Sequence, residues 1–164
     1  VMSDAASGFT SVTYPFPVIR MADLYLMYAE ALNEKGEDYA TVLPWIDMVR
    51  ERSGLQGVKE SWDQYVGNSK YATQTGLRQI IMQERRIELA FEGHYFWDVR
   101  RWKTATTELT QPLTGWKVRY GETDVDYYSE NLVLVRDFTP KMYFWPIDIG
   151  ELRKDPNLVQ NYGW

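Results

Sequence analysis

Two glutamates with the spacing of a catalytic pair, Glu84 and Glu88, lie four residues apart in the segment QERRIELAFEGHYFWDVRRWK, residues 83–103. On a helix, residues four apart are neighbours with Cβ atoms roughly 5–6 Å apart, close to the roughly 5–5.5 Å between the carboxylates of retaining glycosidases. The pair could therefore hydrolyse a glycosidic bond. A di-iron centre needs Glu-x-x-His pairs on helices, and the single histidine, His94, follows Gly93 and belongs to no such motif. The sequence thus predicts no metal site and no cofactor.

A structural role for the same two carboxylates follows from a helical wheel of about 100° per residue. With Leu77 at zero, Glu84 falls at about 340° and Glu88 at about 20°, within an apolar stripe that also holds Ile80, Ile81, Ile87 and Phe91. A carboxylate in such a stripe must be paired, protonated or functional. Arginine forks suit buried carboxylates, and the candidate partners are Arg50, Arg52, Arg100 and Arg101. We favour this ion-pair network over hydrolysis, because the carboxylates of a glycosidase flank the sugar from opposite sides.

Helix signals precede strand signals along the chain. Pro17 suits a helix start and Gly36 a helix end, and together they bound the first predicted helix. Period and stop signals predict helices over about 39–53 and 76–92, and short helices around Trp62 and over about 96–105. Trp97 and Trp102 are expected to anchor the last of these as buried side chains.

The remaining segments predict a small amount of β structure. Alternating residues indicate a strand over 115–121 and a second, more buried strand over 131–138, joined by a long loop. Together with the helices they predict a single, mostly α domain with a minor β-hairpin. Its parts are a lead-in, a helical part, a segment of hairpin and loops, and a closing segment, at residues 1–13, 17–105, 106–145 and 146–164.

Composition excludes several classes of protein. The net charge is −5, which argues against nucleic acid as a partner. The chain has 0 cysteines, so disulfides, thiol catalysis and cysteine-ligated metals are excluded. Aromatic residues make up 15% of the chain, enough to fill a core or to form flat surfaces that stack on ligands.

Four ordered segments resemble the SusD/RagB family. ERRIELAFEGHYFWDVRRWK is similar to the family signature ERRxELAFEGxRxxDLxRW, with Tyr95 in place of the usual arginine. VIRMADLYLMYAEALNEKG resembles the first helix of the family's C-terminal region, and IDMVRERSGL resembles a helix end that reads NxVRxRAGL. YFWPIDIGELRKDPNLVQNYGW resembles the closing YLWPIPxxEIxxNPNLxQNPGW, with Asp148 and Tyr162 in place of prolines.

The resemblance implies a fold, a location and a function. Members of the family are longer, with an N-terminal signal, a lipidated cysteine and helical repeats, so this chain is expected to be the C-terminal third or so. It implies a lipoprotein on the cell surface of a Gram-negative outer membrane, anchored through a lipid outside this chain. Such proteins bind glycans or other nutrients, act with a SusC-like TonB-dependent transporter, and are not enzymes.

A sugar-binding role directs attention to aromatic rings outside the long helices. The candidates are Trp62, Trp116, Tyr120, Tyr127 and Tyr128; each could instead pack against the hairpin or against the N-terminal region that this chain lacks. Two alternatives stay open beside nutrient binding. One is a glycoside hydrolase that uses Glu84 and Glu88, and the other is a protein–protein docking module without its own ligand site.

Overall fold

The computed structural model describes residues 17–117 and 122–164. Most of the described residues are helical, and a two-stranded antiparallel sheet lies in the last third of the chain, which confirms a mostly α fold with a minor β-hairpin. The chain divides into two compact units, Val1–Ala90 and Phe91–Trp164, so the boundary lies inside the predicted helical part. The predicted lead-in, residues 1–13, lies outside the described residues.

Three helices make up most of the first unit: α1 (Met21–Lys35), α2 (Tyr39–Arg52) and α4 (Gln74–Glu88). Between the last two lie the short helix α3 (Val58–Ser61), a π-helix (Trp62–Val66) and a 3₁₀ turn (Lys70–Ala72). The turn between α1 and α2 is encoded locally. Gly36 has a φ of 87°, which glycine adopts without strain, and the Asp38 carboxylate accepts the Ala40 N–H at 2.9 Å, which caps α2.

The core of the first unit lies between these three helices. It is built from aliphatic side chains that are almost completely buried, among them Leu26, Ala29, Val42, Ile46, Leu77 and Ile81. Small residues such as Ala29 on α1 allow a neighbouring helix to approach closely. Burial of this apolar face is the main stabilising term for the unit.

Two helix boundaries differ from the prediction. Helix α1 begins at Met21 rather than near Pro17, because Arg20 is in an extended conformation and precedes the first helical residue. Helix α4 ends at Glu88, and Phe91 has a positive φ of 66°. The wheel therefore fails for two members of the predicted apolar stripe, because Ile87, within α4, and Phe91, beyond its end, are both exposed.

The second unit begins with two short helices, α5 (His94–Arg101) and α6 (Ala105–Glu108). The hairpin follows as β1 (Leu113–Trp116) and β2 (Glu130–Leu134), with α7 (Asp124–Tyr127) in the connection. A 3₁₀ turn (Pro140–Tyr143) and α8 (Ile149–Lys154) complete it. In the antiparallel register Trp116 lies opposite Glu130. The predicted first strand extended over residues 118–121, which lie outside the described residues.

The core of the second unit is small, with Val99, Ala105 and Phe138 buried. Trp102 is half-buried, but Trp97 is 60% exposed, which contradicts its predicted burial. The inward face of the short α5 is occupied by Asp98 and Val99, so Trp97 lies outside it and contacts Phe96 edge to face at 5.0 Å.

The closing segment is fixed by hydrogen bonds to backbone. The Gln160 side chain accepts the Ile147 N–H at 2.8 Å and donates to the Ile147 carbonyl at 2.9 Å. The Trp164 indole N–H donates to the carbonyls of Lys141 and Phe144, each at 3.0 Å. In the part of the chain that the structure describes, no helix has the length and apolar character needed to cross a membrane.

Candidate functional site

The two glutamates of α4 are each bound by an arginine of α2. Arg50 forms an ion pair with Glu84, and both side chains are largely buried. The same guanidinium donates to the Gln56 carbonyl at 2.8 Å and to the Ser61 hydroxyl at 3.0 Å. Arg50 therefore connects α4 to the segment that follows α2.

Glu88 is bound from two directions. Arg52 reaches its Oε1 atom from α2 at 2.7 Å. Arg20, just before α1, forms an ion pair with the same oxygen and also donates to the Glu88 backbone carbonyl. The last residue of α4 is thus tied to the end of α2 and to the start of α1.

These ion pairs connect α4 to α2 and to the residue before α1. Both side chains lie on one face of one helix, and each is engaged by a guanidinium from a packed neighbour. A glycosidase needs its two carboxylates on opposite sides of a bound sugar, with one of them protonated. Among residues 17–117 and 122–164, no group of three or more histidine, aspartate and glutamate side chains could hold a metal ion.

The two arginines of α5, Arg100 and Arg101, both contact residues of the second unit. Arg100 donates to the Met142 carbonyl at 2.6 Å, and its guanidinium lies over the Phe96 ring at 4.3 Å from the centroid. Arg101 pairs with Asp98 of the same helix at 2.7 Å. None of these contacts belongs to the α2–α4 ion pairs, with which the sequence analysis had grouped both arginines.

A buried ion pair that the sequence analysis missed joins α1 to α4. Arg85 Nη1 lies 2.9 Å from Asp23 Oδ1, and the two side chains are 3% and 9% exposed. A signal was present, because Arg85 falls at about 80° on the wheel, at the edge of the apolar stripe. Its partner is 62 residues away in sequence, and no local pattern indicates such a contact.

Three of the predicted ligand-binding rings come together on the hairpin. Trp116, at the end of β1, contacts Tyr128 at a centroid distance of 5.3 Å with an interplanar angle of 80°. Tyr128 contacts Tyr127 at 5.0 Å and 78°. Trp116 and Tyr128 are each 60% exposed, so the cluster forms an accessible corner of perpendicular rings rather than a flat platform.

The hairpin cluster of Trp116, Tyr127 and Tyr128 is held by backbone and side-chain hydrogen bonds. The Lys117 N–H donates to the Tyr127 carbonyl at 3.1 Å, which fixes the end of α7 beside β1. Glu130, opposite Trp116 in the register, accepts the Thr114 hydroxyl at 2.6 Å. A carboxylate beside exposed rings is an acceptor that could bind hydroxyl groups of a ligand.

The other two predicted rings lie apart from this cluster. Tyr120 is outside the described residues. Trp62 belongs to the first unit, where it begins the π-helix and packs partly against the core. Its ring lies beneath the Lys70 ammonium at 5.5 Å.

Comparison with known proteins identifies the family. The sequence model of the SusD family matches residues 2–164, so the chain belongs to the SusD family. A SusD-like protein of Formosa agariphila is 39% identical over 144 residues, which cover 88% of this chain and 23% of the relative. A second SusD-like protein of the same organism is 28% identical over 144 residues, which cover 88% of this chain and 24% of the relative. The chain therefore spans about a quarter of the length of these relatives.

Solved structures agree with this assignment. A SusD-like protein of Bacteroides fragilis matches with a TM-score of 0.71 and 29% identity, over 92% of this chain and 28% of the other. A SusD-like carbohydrate-binding protein of the same species matches with a TM-score of 0.68 and 32% identity, over 87% of this chain and 28% of the other. The fold described above is thus the fold of the corresponding part of SusD-like proteins.

Proposed function

We propose that this chain is part of a non-catalytic glycan-binding protein that delivers its ligand to a SusC-like TonB-dependent transporter of the outer membrane. The observation that carries the proposal is the hairpin cluster, in which Trp116 and Tyr128 present exposed rings at right angles. Membership of the SusD family supports the class of protein, and similarity to a SusD-like carbohydrate-binding protein supports the class of ligand.

The geometry of the cluster suits a sugar. One face of a pyranose is rich in C–H groups and can stack on an indole or phenol ring, while its hydroxyls need polar partners at the edge. Trp116 offers a ring and Glu130 an acceptor on the opposite strand. Two perpendicular rings can contact the face and the edge of one sugar at the same time, which would restrict its orientation.

The ion pairs of α4 support the absence of catalysis in this proposal. Glu84 and Glu88 are the carboxylates with a glycosidase-like spacing, and arginines of α2 engage both of them. Their contacts join helices of the first unit, and moving either carboxylate onto a substrate would break an interhelical ion pair.

The proposed location and partners extend beyond this chain. We place the protein at the cell surface, anchored to the outer membrane through a lipid outside this chain. The N-terminal region of the same protein is the proposed partner of surfaces that the second unit leaves exposed. Loops that need a packing partner lose conformational entropy on binding, so the chain by itself is expected to bind glycans weakly, with dissociation constants of about a millimolar or above.

The test is an NMR titration of the 164-residue chain with neutral oligosaccharides of plant and host origin, since NMR detects millimolar binding. Trp116→Ala should weaken binding about tenfold or more, equivalent to about 1.4 kcal/mol or more. Trp97→Ala is the matched control, because Trp97 is equally exposed, at 60%, and lies outside the cluster. Equal losses in the two variants would contradict the hairpin site, and release of reducing sugar would support the hydrolase instead.

A docking module without a ligand site is the second candidate, and β2 is the observation that favours it. Leu132, Val133 and Leu134 are all more than half exposed, so both faces of this strand present apolar side chains. Such a strand is a suitable surface for another protein. Co-purification of the full-length protein with its transporter, lost in Val133→Lys and kept in Trp116→Ala, would indicate docking through the strand independent of any glycan.

A further inference from the structure

A second cavity, in the first unit, has the composition of a sugar subsite. It has a volume of about 370 Å³, within the range typical of small-molecule sites. Its lining combines one indole ring, two side-chain amides and two cationic groups, contributed by Trp62, Gln79, Gln83, Lys70 and Arg86. We call this the Trp62 pocket.

The local structure explains why these side chains meet. Gln79, Gln83 and Arg86 follow the spacing i, i+4, i+7 on α4, which places them on one face of the helix. That face is opposite the buried stripe of Leu77 and Ile81 on the wheel. Across from it, Trp62 begins a π-helix, a rare local geometry that is frequent at functional sites. The pocket is thus formed by regular elements of the unit.

The charge in the pocket favours an anion. Glu84 lines the same cavity, but it is ion-paired with Arg50 on its α2 side. Lys70 contacts the Trp62 ring, and no carboxylate among residues 17–117 and 122–164 forms a salt bridge with it. Arg86 also lines the cavity but is engaged in contacts of its own, so Lys70 is the cation that the pocket offers to a ligand. A cationic pocket on a chain with a net charge of −5 is a local feature and does not follow from overall composition.

The position of Lys70 also provides a basis for selectivity. Its ammonium lies over the Trp62 ring at 5.5 Å, so it covers the surface on which a sugar would stack. Lys70 and Trp62 are both half-buried, and a charge-assisted hydrogen bond to an anion is stronger than a cation–π contact. An anionic ligand can therefore draw the ammonium away from the ring and expose it, whereas a neutral sugar offers nothing to displace it.

We infer that the Trp62 pocket binds a sugar residue that carries an anionic group, either a uronate carboxylate or a sulfate ester. The sugar stacks on Trp62, its hydroxyls bind the amides of Gln79 and Gln83, and its anionic group binds Lys70. This inference rests on the proposed glycan-binding function and specifies a substrate class for a site separate from the hairpin cluster.

The experiment follows the indole N–H signals of the ¹⁵N-labelled 164-residue chain, with the Trp62 signal assigned by its loss in Trp62→Phe. The probes are trigalacturonate, its fully methyl-esterified form, a sulfated galactan tetrasaccharide and its desulfated form. Each pair keeps the sugar and removes the charge. We expect the Trp62 signal to shift with at least one of the two anionic probes and with neither neutral form. The anionic probe that succeeds identifies the chemical source, carboxylate or sulfate.

Two variants distinguish binding in the Trp62 pocket from general attraction between an anionic probe and any lysine of the chain. Lys70→Gln should weaken binding of the anionic probe about tenfold or more, with the helical circular dichroism unchanged. Lys35→Gln is the matched control, because it removes the same charge in the same unit from an exposed lysine outside the pocket. Equal effects of the two variants, equal binding of neutral and charged forms, or a Trp62 signal that moves with no probe would each overturn the inference.

The proposed function is tested by a separate measurement, the binding of neutral oligosaccharides at the hairpin cluster. Binding of neutral oligosaccharides that is lost in Trp116→Ala supports the hairpin site whatever happens at Trp62. If neutral sugars bind through Trp116 while the anionic probes leave the Trp62 signal unmoved, the inference is wrong and the proposed function stands. If Trp116→Ala has no effect while the anionic probes shift Trp62, the ligand site of this chain lies in the first unit.

Discussion

Removing the Asp23 carboxylate should destabilise the first unit more than the loss of an exposed ion pair does. In Asp23→Ala, the Arg85 guanidinium stays buried, at 3% exposure, without the oxygen that now lies 2.9 Å from it. Removing one partner of a buried ion pair costs about 3–5 kcal/mol. Typical domains are stable by about 5–15 kcal/mol, so the variant should remain folded with a large part of its stability lost.

Urea denaturation followed by circular dichroism measures this loss. With a slope of about 2 kcal/mol per molar urea, the midpoint should fall by roughly 2 M. Glu34→Ala is the control, because it breaks the exposed pair of Glu34 with Arg78, and such pairs contribute about 1 kcal/mol or less. If the two variants shift the midpoint equally, the account of a buried charge is wrong.

A double variant separates the effect of removing one charged partner from the effect of losing the whole ion pair. Asp23→Leu with Arg85→Met replaces both charged groups by apolar ones, a change that is often neutral or stabilising in buried sites. Asp23 also lies in the first turn of α1, where a carboxylate favours the helix by about 0.3–1 kcal/mol. The double variant should therefore lie within about 1 kcal/mol of the parent chain, and a loss as large as that of Asp23→Ala would show that the pair itself is stabilising.

Three further substitutions test contacts of the first unit. Glu88→Ala should cost about 2 kcal/mol, below the loss for Asp23→Ala, because its partners Arg20 and Arg52 are 26% and 61% exposed; an unchanged urea midpoint would contradict this. Burial raises the pKa of Asp47 above 3.8, so its contribution to stability is fully present below that pH and is lost as pH rises through the raised pKa. Asp47→Asn keeps an acceptor for the Val58 N–H and should raise the urea midpoint at pH 7 but not near pH 3. A lower midpoint at pH 7 would contradict the raised pKa of Asp47. Tyr71→Phe removes a hydroxyl that donates to Asp63 at 2.8 Å and should cost about 1 kcal/mol by the same denaturation assay.

The sequence predicted a helix boundary well where the residues next to that boundary determine it. Gly36 was predicted to end the first helix, and the structure places it in the left-handed conformation directly after α1; Asp38, which was not predicted, caps α2. The end of α4 is different, because the sequence contains no glycine or proline between Gly76 and Gly93. The helix ends at Glu88, whose carbonyl accepts a hydrogen bond from Arg20, and such a tertiary contact cannot be read from helix period or stop signals.

The same distinction applies to side-chain contacts. The wheel placed Glu84 and Glu88 in the stripe of α4, and the structure shows both side chains largely buried. It could not assign Arg20 or Asp23, because each lies on another element and pairs with α4 only through packing. For the ligand rings, sequence reasoning identified Trp116 and Tyr128 as exposed candidates, but their perpendicular arrangement depends on the course of the backbone between the strands.

The exposed hairpin links ligand affinity to local order. A two-stranded sheet is marginally stable by itself, and β2 has little burial on either face. A molecule that binds only the ordered hairpin stabilises it by mass action, by about 2.7 kcal/mol at a concentration 100 times its dissociation constant. Under the proposed function, saturation with glycan would slow amide hydrogen exchange in β1 and β2 while leaving exchange in α1 unchanged. The rate of amide exchange in the hairpin would then measure the fraction of Trp116 sites that hold glycan.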